Sequence, residues 1–374
     1  MQFIDLGAQY RRIKEKLDKG VISAIESGKY IMGPPVKELE ERLAKYVGRK
    51  FCISCSNGTD ALMMPLMAYG IGKGDAVFVP DFTFFASAEV VAGVGATPIF
   101  TEVNPETFNM DAQSLERAIE KVKSEGKLCP KMIIAVDLFG QPADFEKICA
   151  VAKKHGLLVM EDGAQGFGGS FKGKKACSFG DVSTTSFFPA KPLGCYGDGG
   201  AIFTDDEELA ITLRSIRVHG SNPKDKYDNV RLGLNARLDT VQAAVLHCKL
   251  DIFDSELVTR NDVAKKYDER LSKIVSVPKV PDKVTSSWAQ YTLKLKSKEQ
   301  REKVMAELKE NEIPSMIYYP CPMHLQTAFK YLGGRKGDFE ISEKLCDTVM
   351  SIPMHPYLTD EQINEVCSVL QKVL

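Results

Sequence analysis

The sequence predicts an α/β fold: a mostly parallel seven-stranded sheet between helices, followed by a smaller α+β C-terminal domain. Three observations lead there. From about residue 50 to 205, short apolar runs rich in strand-forming residues alternate with helical patterns. One run, Leu157-Leu-Val-Met160, is apolar at every position, as a strand covered on both faces must be. After residue 204 the alternation gives way to longer helical stretches with few strand-like runs. With 374 residues, 44% of them apolar, the chain has the material for a full core.

In order along the chain, strands are expected at 51–54, 76–79, 98–102, 131–138, 157–161, 182–187 and 200–204. Thr59 to Tyr69, with Ala61, Leu62, Leu66 and Met67 apolar, reads as a crossover helix, as does Asp144 to His155. The latter stops at Gly156, placed where a left-handed residue closes a helix. Asp205 to Arg217 reads as another helix. Asp239, an acid of N-cap type, opens a long one through Ala243, Ala244, Leu246 and Leu250. Beyond 250, charged helices mix with the strand-like run Ala289 to Leu295, and Pro278, Pro281 and Ser286-Ser287 mark loops. The expected division is therefore a large domain over 1–250 and a small one over 251–374, without internal repeats.

Charge excludes some function classes. Lys and Arg number 49 against 50 Asp and Glu, a net of −1, so nothing draws the chain as a whole to nucleic acid or to an anionic membrane. Any phosphate must be held by a few placed groups. The start lacks a basic segment followed by an apolar one, and no run approaches the roughly 20 apolar residues a spanning helix needs. The 10 cysteines are scattered singly apart from Cys52 and Cys55, and read as reduced thiols of a cytoplasmic protein. That close pair lies along a strand and not at a helix start, which favours a structural role over redox chemistry. The five histidines stand far apart, none at a ligand spacing from a cysteine pair, so no metal site is expected.

In open α/β sheets ligands sit beyond the carboxyl ends of the strands, and the residues there are polar and glycine-rich. After 51–54 come Ser56-Asn57-Gly58-Thr59-Asp60. Gly58 allows close backbone approach, and Thr59 with the free amides of the following helix suits a phosphate group, although a plain helix cap would look the same. After 157–161 comes Asp162, with Gln165 three residues on. After 182–187 comes Lys191, five residues beyond Ser186 and held in a loop by Pro192 and Gly194. A lone loop lysine means little, and Asp162 alone could be an N-cap. Together, an amine able to bond an aldehyde and an acid able to keep a pyridinium protonated point to pyridoxal 5′-phosphate. Gly166 to Phe171 lacks the last glycine of a dinucleotide fingerprint, and no Gly-x-x-x-x-Gly-Lys-Ser/Thr loop occurs, which counts against dehydrogenases and nucleotide hydrolases.

The chain resembles the DegT/DnrJ/EryC1 sugar aminotransferases, enzymes with the aspartate-aminotransferase-like fold of PLP fold type I. The resemblance runs over nearly the whole chain: Gly28-Lys-Tyr30-Ile-Met-Gly33-Pro34, Asn57-Gly-Thr59-Asp-Ala-Leu62, Gly74-Asp75, Pro80-Asp-Phe-Thr-Phe84, Gly95-Ala-Thr-Pro98, the Lys191 loop, and Tyr319-Pro-Cys-Pro-Met-His324. It implies that Lys191 bonds the cofactor and shuttles protons, that Asp162 pairs with the pyridine nitrogen, and that Gln165 contacts the ring on its hydroxyl side. Phe84 would stack on the ring. Thr59, the amide of Asp60, and Ser186 would hold the phosphate. Asn235 would reach the phosphate of a neighbouring subunit's cofactor, implying a homodimer with shared sites. Lys29, Tyr30, Arg237, Tyr318 and His324 are the substrate-side candidates, with Arg237 equally readable as a surface ion-pair residue.

The loop from Phe187 through Lys191 to Ala201 is similar to that of members aminating C3 of a keto sugar, whereas members acting at C4 usually carry His-Pro-Val-Lys. The expected reaction moves an amino group from L-glutamate to C3 of UDP-2-acetamido-2-deoxy-3-oxo-glucuronate. The alternatives are a dTDP-3-keto-6-deoxyhexose or a UDP-4-keto sugar as acceptor, or a regulatory member without catalysis. Family dehydrases replace the lysine by histidine, and Lys191 argues against that branch.

Overall fold

The computed structural model describes residues 1–222 and 224–374. Its centre is a seven-stranded sheet of β1 (Phe51–Cys55), β2 (Asp75–Pro80), β3 (Thr97–Thr101), β4 (Cys129–Val136), β5 (Leu158–Asp162), β6 (Val182–Ser186) and β7 (Gly200–Thr204). Spatial order is β1-β7-β6-β5-β4-β2-β3. All neighbours run parallel except β7, which is antiparallel to both β1 and β6. The registers pair Val136 with Asp162 and Asp162 with Thr184, so β4, β5 and β6 end along one edge. All seven expected strands are present. The largest offset is in β4, which stops at Val136, two residues early, because Asp137 to Gly140 turns tightly with Phe139 at φ 59°.

Helices cover both faces: α1 (Leu6–Glu26), α2 (Pro34–Val47), α3 (Gly58–Ala68), α4 (Ala86–Gly93), α5 (Ala112–Glu125), α6 (Phe145–His155) and α7 (Glu207–Ile216). Their ends follow local chemistry. Asp144 accepts from the Lys147 amide at 3.2 Å to start α6, and Gly156, at φ 70°, closes it. The helix expected from Asp205 begins two residues later, because Asp206 is the cap while Asp205 pairs with Arg49 at 2.8 Å. One face of the sheet is closed by Leu62, Met64, Val90 and Leu213, the other by Ile119, Phe145 and Ile148. Cys52 and Cys55 are buried in β1, where loss of hydration pushes both thiols up.

Helix α8 (Thr240–Leu271) runs unbroken across position 250. Its start is held by Thr240, whose hydroxyl accepts from the Gly33 amide at 3.0 Å, while Asp239 makes no side-chain cap. Its far end enters a second core, where Tyr267 and Leu271 meet Leu293, Ile352 and Val366. Each such aliphatic side chain contributes about 1.5–3 kcal/mol by leaving water. That core is backed by β8 (Tyr291–Lys294), paired antiparallel with β9 (Val349–Ile352), and by α9 (Lys298–Glu310) and α11 (Asp360–Val373), while α10 (Glu340–Thr348) packs Leu345 and Cys346 into a separate cluster with Phe82 and Phe139. Among the described residues no helix is long and apolar enough to cross a membrane.

Candidate active site

A cavity of ≈ 380 Å³ opens at the carboxyl edge of β4, β5 and β6. Gly58, Thr59, Phe84, Asp162, Gln165, Ser186, Lys191 and Tyr318 all line it. Eight residues chosen from sequence thus converge from five separate segments.

Asp162, the last residue of β5, is 4% exposed. Ser87 Oγ donates to its Oδ2 at 2.7 Å and the Ala164 amide to its Oδ1 at 3.2 Å. Burial raises its affinity for a proton, against the pull of those two bonds and of the Lys191 charge. Lys191 experiences the reverse. Its enclosed amine is lowered by lost hydration, which Asp162 partly offsets. The two feel each other's charge without forming an ion pair, leaving space between them. The Lys191 amide donates to the Phe188 carbonyl at 2.8 Å, fixing the turn that carries it.

One end of the cavity lies at the start of α3. Asn57 caps that helix by accepting from the Asp60 amide at 2.8 Å, so the amide expected to hold phosphate is already engaged, and Asp60 lies off the cavity lining. Gly58 and Thr59 remain on the wall. A Cβ on Gly58 would stand 2.6 Å from the Ser186 Cβ, so only glycine lets this helix start approach the end of β6.

Gln165 is fixed at both ends: its Oε1 accepts from the Phe139 amide at 2.7 Å and its Nε2 donates to the Tyr319 hydroxyl at 3.0 Å. Tyr319 in turn packs on Phe84, ring centres 6.1 Å apart, and Phe84 is 53% exposed toward the opening. Gln290 also faces the cavity, with its Oε1 buried and lacking a hydrogen-bond partner.

Other expected residues stand elsewhere. His324 does not reach the cavity: it is buried between Asp81, with Nδ1 2.8 Å from Oδ2, and Glu343, with Nε2 3.2 Å from Oε1. Lys29 and Tyr30 are exposed on the segment before α2. Asn235 and Arg237 lie outside the cavity and bond each other, Arg237 donating to the Asn235 side-chain oxygen. A cluster of Glu116 and Glu120 of α5 with His155 at the end of α6 lies away from the cavity, where Lys154 engages Glu116 and Lys123 engages His155.

Sequence reading missed Asn57, Tyr319 and Gln290 as members of the wall, and Ser87 as the partner of Asp162 behind it. Ser87 carried a weak signal, four residues after Thr83 on a new helix. Gln290 carried none.

The donor set fits pyridoxal 5′-phosphate: an amine, an acid across an intervening space, a small-residue helix start, an exposed aromatic ring and an unpaired buried acceptor. A Bacillus subtilis protein solved with bound PMP matches at TM-score 0.89, with 28% identity, over 99% of this chain and 83% of its own. A Brucella abortus protein titled a DegT DnrJ EryC1 StrS aminotransferase matches at TM-score 0.97 and 49% identity, over 100% of this chain and 99% of its own. The Pseudomonas aeruginosa protein named UDP-2-acetamido-2-deoxy-3-oxo-D-glucuronate aminotransferase is 47% identical, covering 99% of both chains. A Geobacillus stearothermophilus protein named pleiotropic regulatory protein is 42% identical over 96% of this chain and 94% of its own. A family model spans residues 11–371, and the chain belongs to the DegT/DnrJ/EryC1/StrS aminotransferase family, whose pyridoxal-phosphate-dependent chemistry its cavity is built to carry out.

Proposed function

We propose that this protein transfers an amino group from L-glutamate to C3 of a UDP-linked 3-oxo sugar acid, UDP-2-acetamido-2-deoxy-3-oxo-glucuronate, giving the 3-amino sugar and 2-oxoglutarate. The observation that carries the reading is the placement of Lys191 and Asp162 across one cavity without a mutual ion pair. Support for the acceptor comes from the relative bearing that activity in its name, 47% identical over the full chain.

When bound, the cofactor supplies an electron-withdrawing ring that stabilises negative charge on the reacting carbon. The chain supplies the rest. Asp162, oriented by Ser87, holds a proton on the ring nitrogen. Lys191 Nζ takes the proton from Cα of the amino donor in one half-reaction and delivers one to C3 of the acceptor in the other. Lowering of its proton affinity by burial leaves a larger fraction of the amine free to act as a base near neutral pH. Thr59, Ser186 and the α3 start receive the phosphate, and Phe84 offers its face to the ring. Tyr318 stands at the mouth, on the substrate side.

Asn235, exposed, and Arg237, half-buried, both off their own chain's cavity, are assigned to the neighbouring subunit's site in a homodimer. The larger part, to about residue 250, houses the cofactor and the remainder forms the smaller body; Tyr318 and Tyr319 come to the cavity from the latter. A cytoplasmic location fits the 10 free thiols. A regulatory role without catalysis is disfavoured, since Asp162, Gln165, Ser186, Lys191 and Asn235 are all retained.

The test is incubation with L-glutamate and an acceptor made in situ by a sugar dehydrogenase, following 2-oxoglutarate and the aminated sugar by mass spectrometry and NMR. Lys191→Ala should leave less than about 10⁻³ of wild-type turnover. Turnover by that variant would remove the assignment of Lys191; reaction with neutral 6-deoxy sugars alone would remove the uronate.

A further inference from the structure

Lys249 stands apart from every role assigned above. It lies in the middle of α8 and is 1% exposed, a lysine enclosed by protein with no carboxylate in ion-pair contact. Burial lowers its amine to about 8, against the weaker pull of Cys195 and Glu256. A buried ammonium without a counter-ion is costly, so the contacts it does make need explaining. Its Nζ donates to the Gly194 carbonyl at 2.6 Å and lies 4.1 Å from the centre of the Tyr196 ring. Both partners belong to the loop that carries Lys191.

Two turns earlier on α8, Gln242 grips the same loop. Its Oε1 accepts from the Tyr196 amide at 2.9 Å and its Nε2 donates to the Tyr196 carbonyl at 3.0 Å, satisfying both polar groups of one residue. The loop has no slack on its other side: a Cβ on Gly194 would stand 2.6 Å from the carbonyl oxygens of Phe188 and Pro189. The backbone around Lys191 is therefore folded on itself and pinned to α8 at Gly194 and Tyr196.

We propose that Lys249 and Gln242 are positioning residues for Lys191, and that α8 sets the height of the catalytic amine above the end of β5 through the Gly194 carbonyl and the Tyr196 peptide. Neither residue lines the cavity, so the effect travels through the loop. The inference rests on the reading of Lys191 as the proton-moving amine.

The experiment compares wild type, Lys249→Met, Lys249→Arg and Gln242→Ala. In the cofactor-free protein, trace acetylation across pH with mass spectrometry reports the reactivity of Lys191 against the other lysines as internal standards. In the loaded protein, the pH at which the visible absorbance of the bound cofactor changes is recorded beside kcat and KM. Lys249→Met should shift both pH profiles and lower kcat about 10–100-fold with little change in KM, the cost of displacing a reacting group by about 1 Å. Lys249→Arg, which keeps a donor, should recover part of the loss, and Gln242→Ala should shift the profiles the same way. A Lys249→Met protein that melts earlier yet keeps both profiles would overturn the proposal and leave Lys249 a packing residue. Should Lys249→Met not fold, Gln242→Ala and Lys249→Gln are judged by the same criterion. Absence of any cofactor absorbance in wild type would instead count against the proposed function, while the acetylation profile would still decide the positioning role.

Discussion

His324 Nδ1 lies 2.8 Å from Asp81 Oδ2, and the His324 amide donates to the other oxygen of the same carboxylate, also at 2.8 Å. Asp81 follows β2 directly and leads into Thr83 and Phe84, while His324 closes the segment that brings Tyr318 and Tyr319 to the cavity. The pair thus ties two walls of the site together from behind. Burial opposes the charged imidazole, but the bonds to Asp81 and the nearby Glu343 outweigh it and raise His324 above 6.5. Burial likewise raises Asp81, with Glu102 adding to that and His324 opposing it. The two bonds into one carboxylate favour the ionised pair.

Removing one partner strands the other charge. His324→Ala should cost about 3–5 kcal/mol in urea unfolding. The pH dependence has a definite sign. A group raised on folding gives its full stability below its unfolded value and loses it as pH rises through its folded value. The wild-type urea midpoint should therefore fall above pH 6.5 by more than that of His324→Asn. Parallel curves for the two proteins would contradict the charged pair.

Ser87 is the hydroxyl whose bond favours the ionised form of Asp162 against the effect of burial. Ser87→Ala removes a 2.7 Å bond to a buried carboxylate, worth about 1.5–3 kcal/mol. Because the bond lowers the acid's proton affinity, its loss raises it. The acidic limb of the kcat/KM profile should move to higher pH by about 1–2 units. An unmoved limb would mean that Asp162 is held by other groups.

Gly58→Ala places a methyl 2.6 Å from the Ser186 Cβ. The clash should destabilise the fold by about 1–3 kcal/mol and weaken cofactor binding, since helix start and hydroxyl must part. Absorbance titration with pyridoxal phosphate and urea unfolding of the cofactor-free protein separate the two effects.

Asn235 is exposed outside its own chain's cavity, which leads to a mixing test of the proposed homodimer. Lys191→Ala and Asn235→Ala proteins, each impaired alone, should regain activity when unfolded together and refolded, because a mixed dimer holds one intact site. Failure to complement would place Asn235 in its own chain's chemistry.

Much of this architecture was readable because each strand announces itself through a short apolar run and each crossover helix through a cap, as Asp144 and Gly156 show for α6. That Lys191 and Asp162 face one cavity was readable for a related reason: Asp162 ends a strand and Lys191 follows one, where a parallel sheet must put its ligand. What escaped prediction depends on groups far apart in the chain. Ser87 meets Asp162 across 75 residues, and Tyr319 meets Gln165 across 154. His324 looked like a substrate ligand because a histidine in a polar motif has no sequence signature that separates a binding residue from a buried clamp. Nor could composition reveal that one strand, β7, runs against the rest.

That reversed strand has a consequence for how the enzyme can change. Ser186 and Gly200 are direct partners across β6 and β7, so the segment bearing Lys191 leaves and re-enters the sheet at a single rung. Its ends cannot drift apart, whatever lies between them, and lengthening the segment carries only a slowly growing entropic penalty. Residues 187–199 are in effect a cartridge clipped into a fixed socket. Because Phe187, Leu193 and Cys195 within it are buried in the core, an exchange of that cartridge between relatives has to carry its core partners with it.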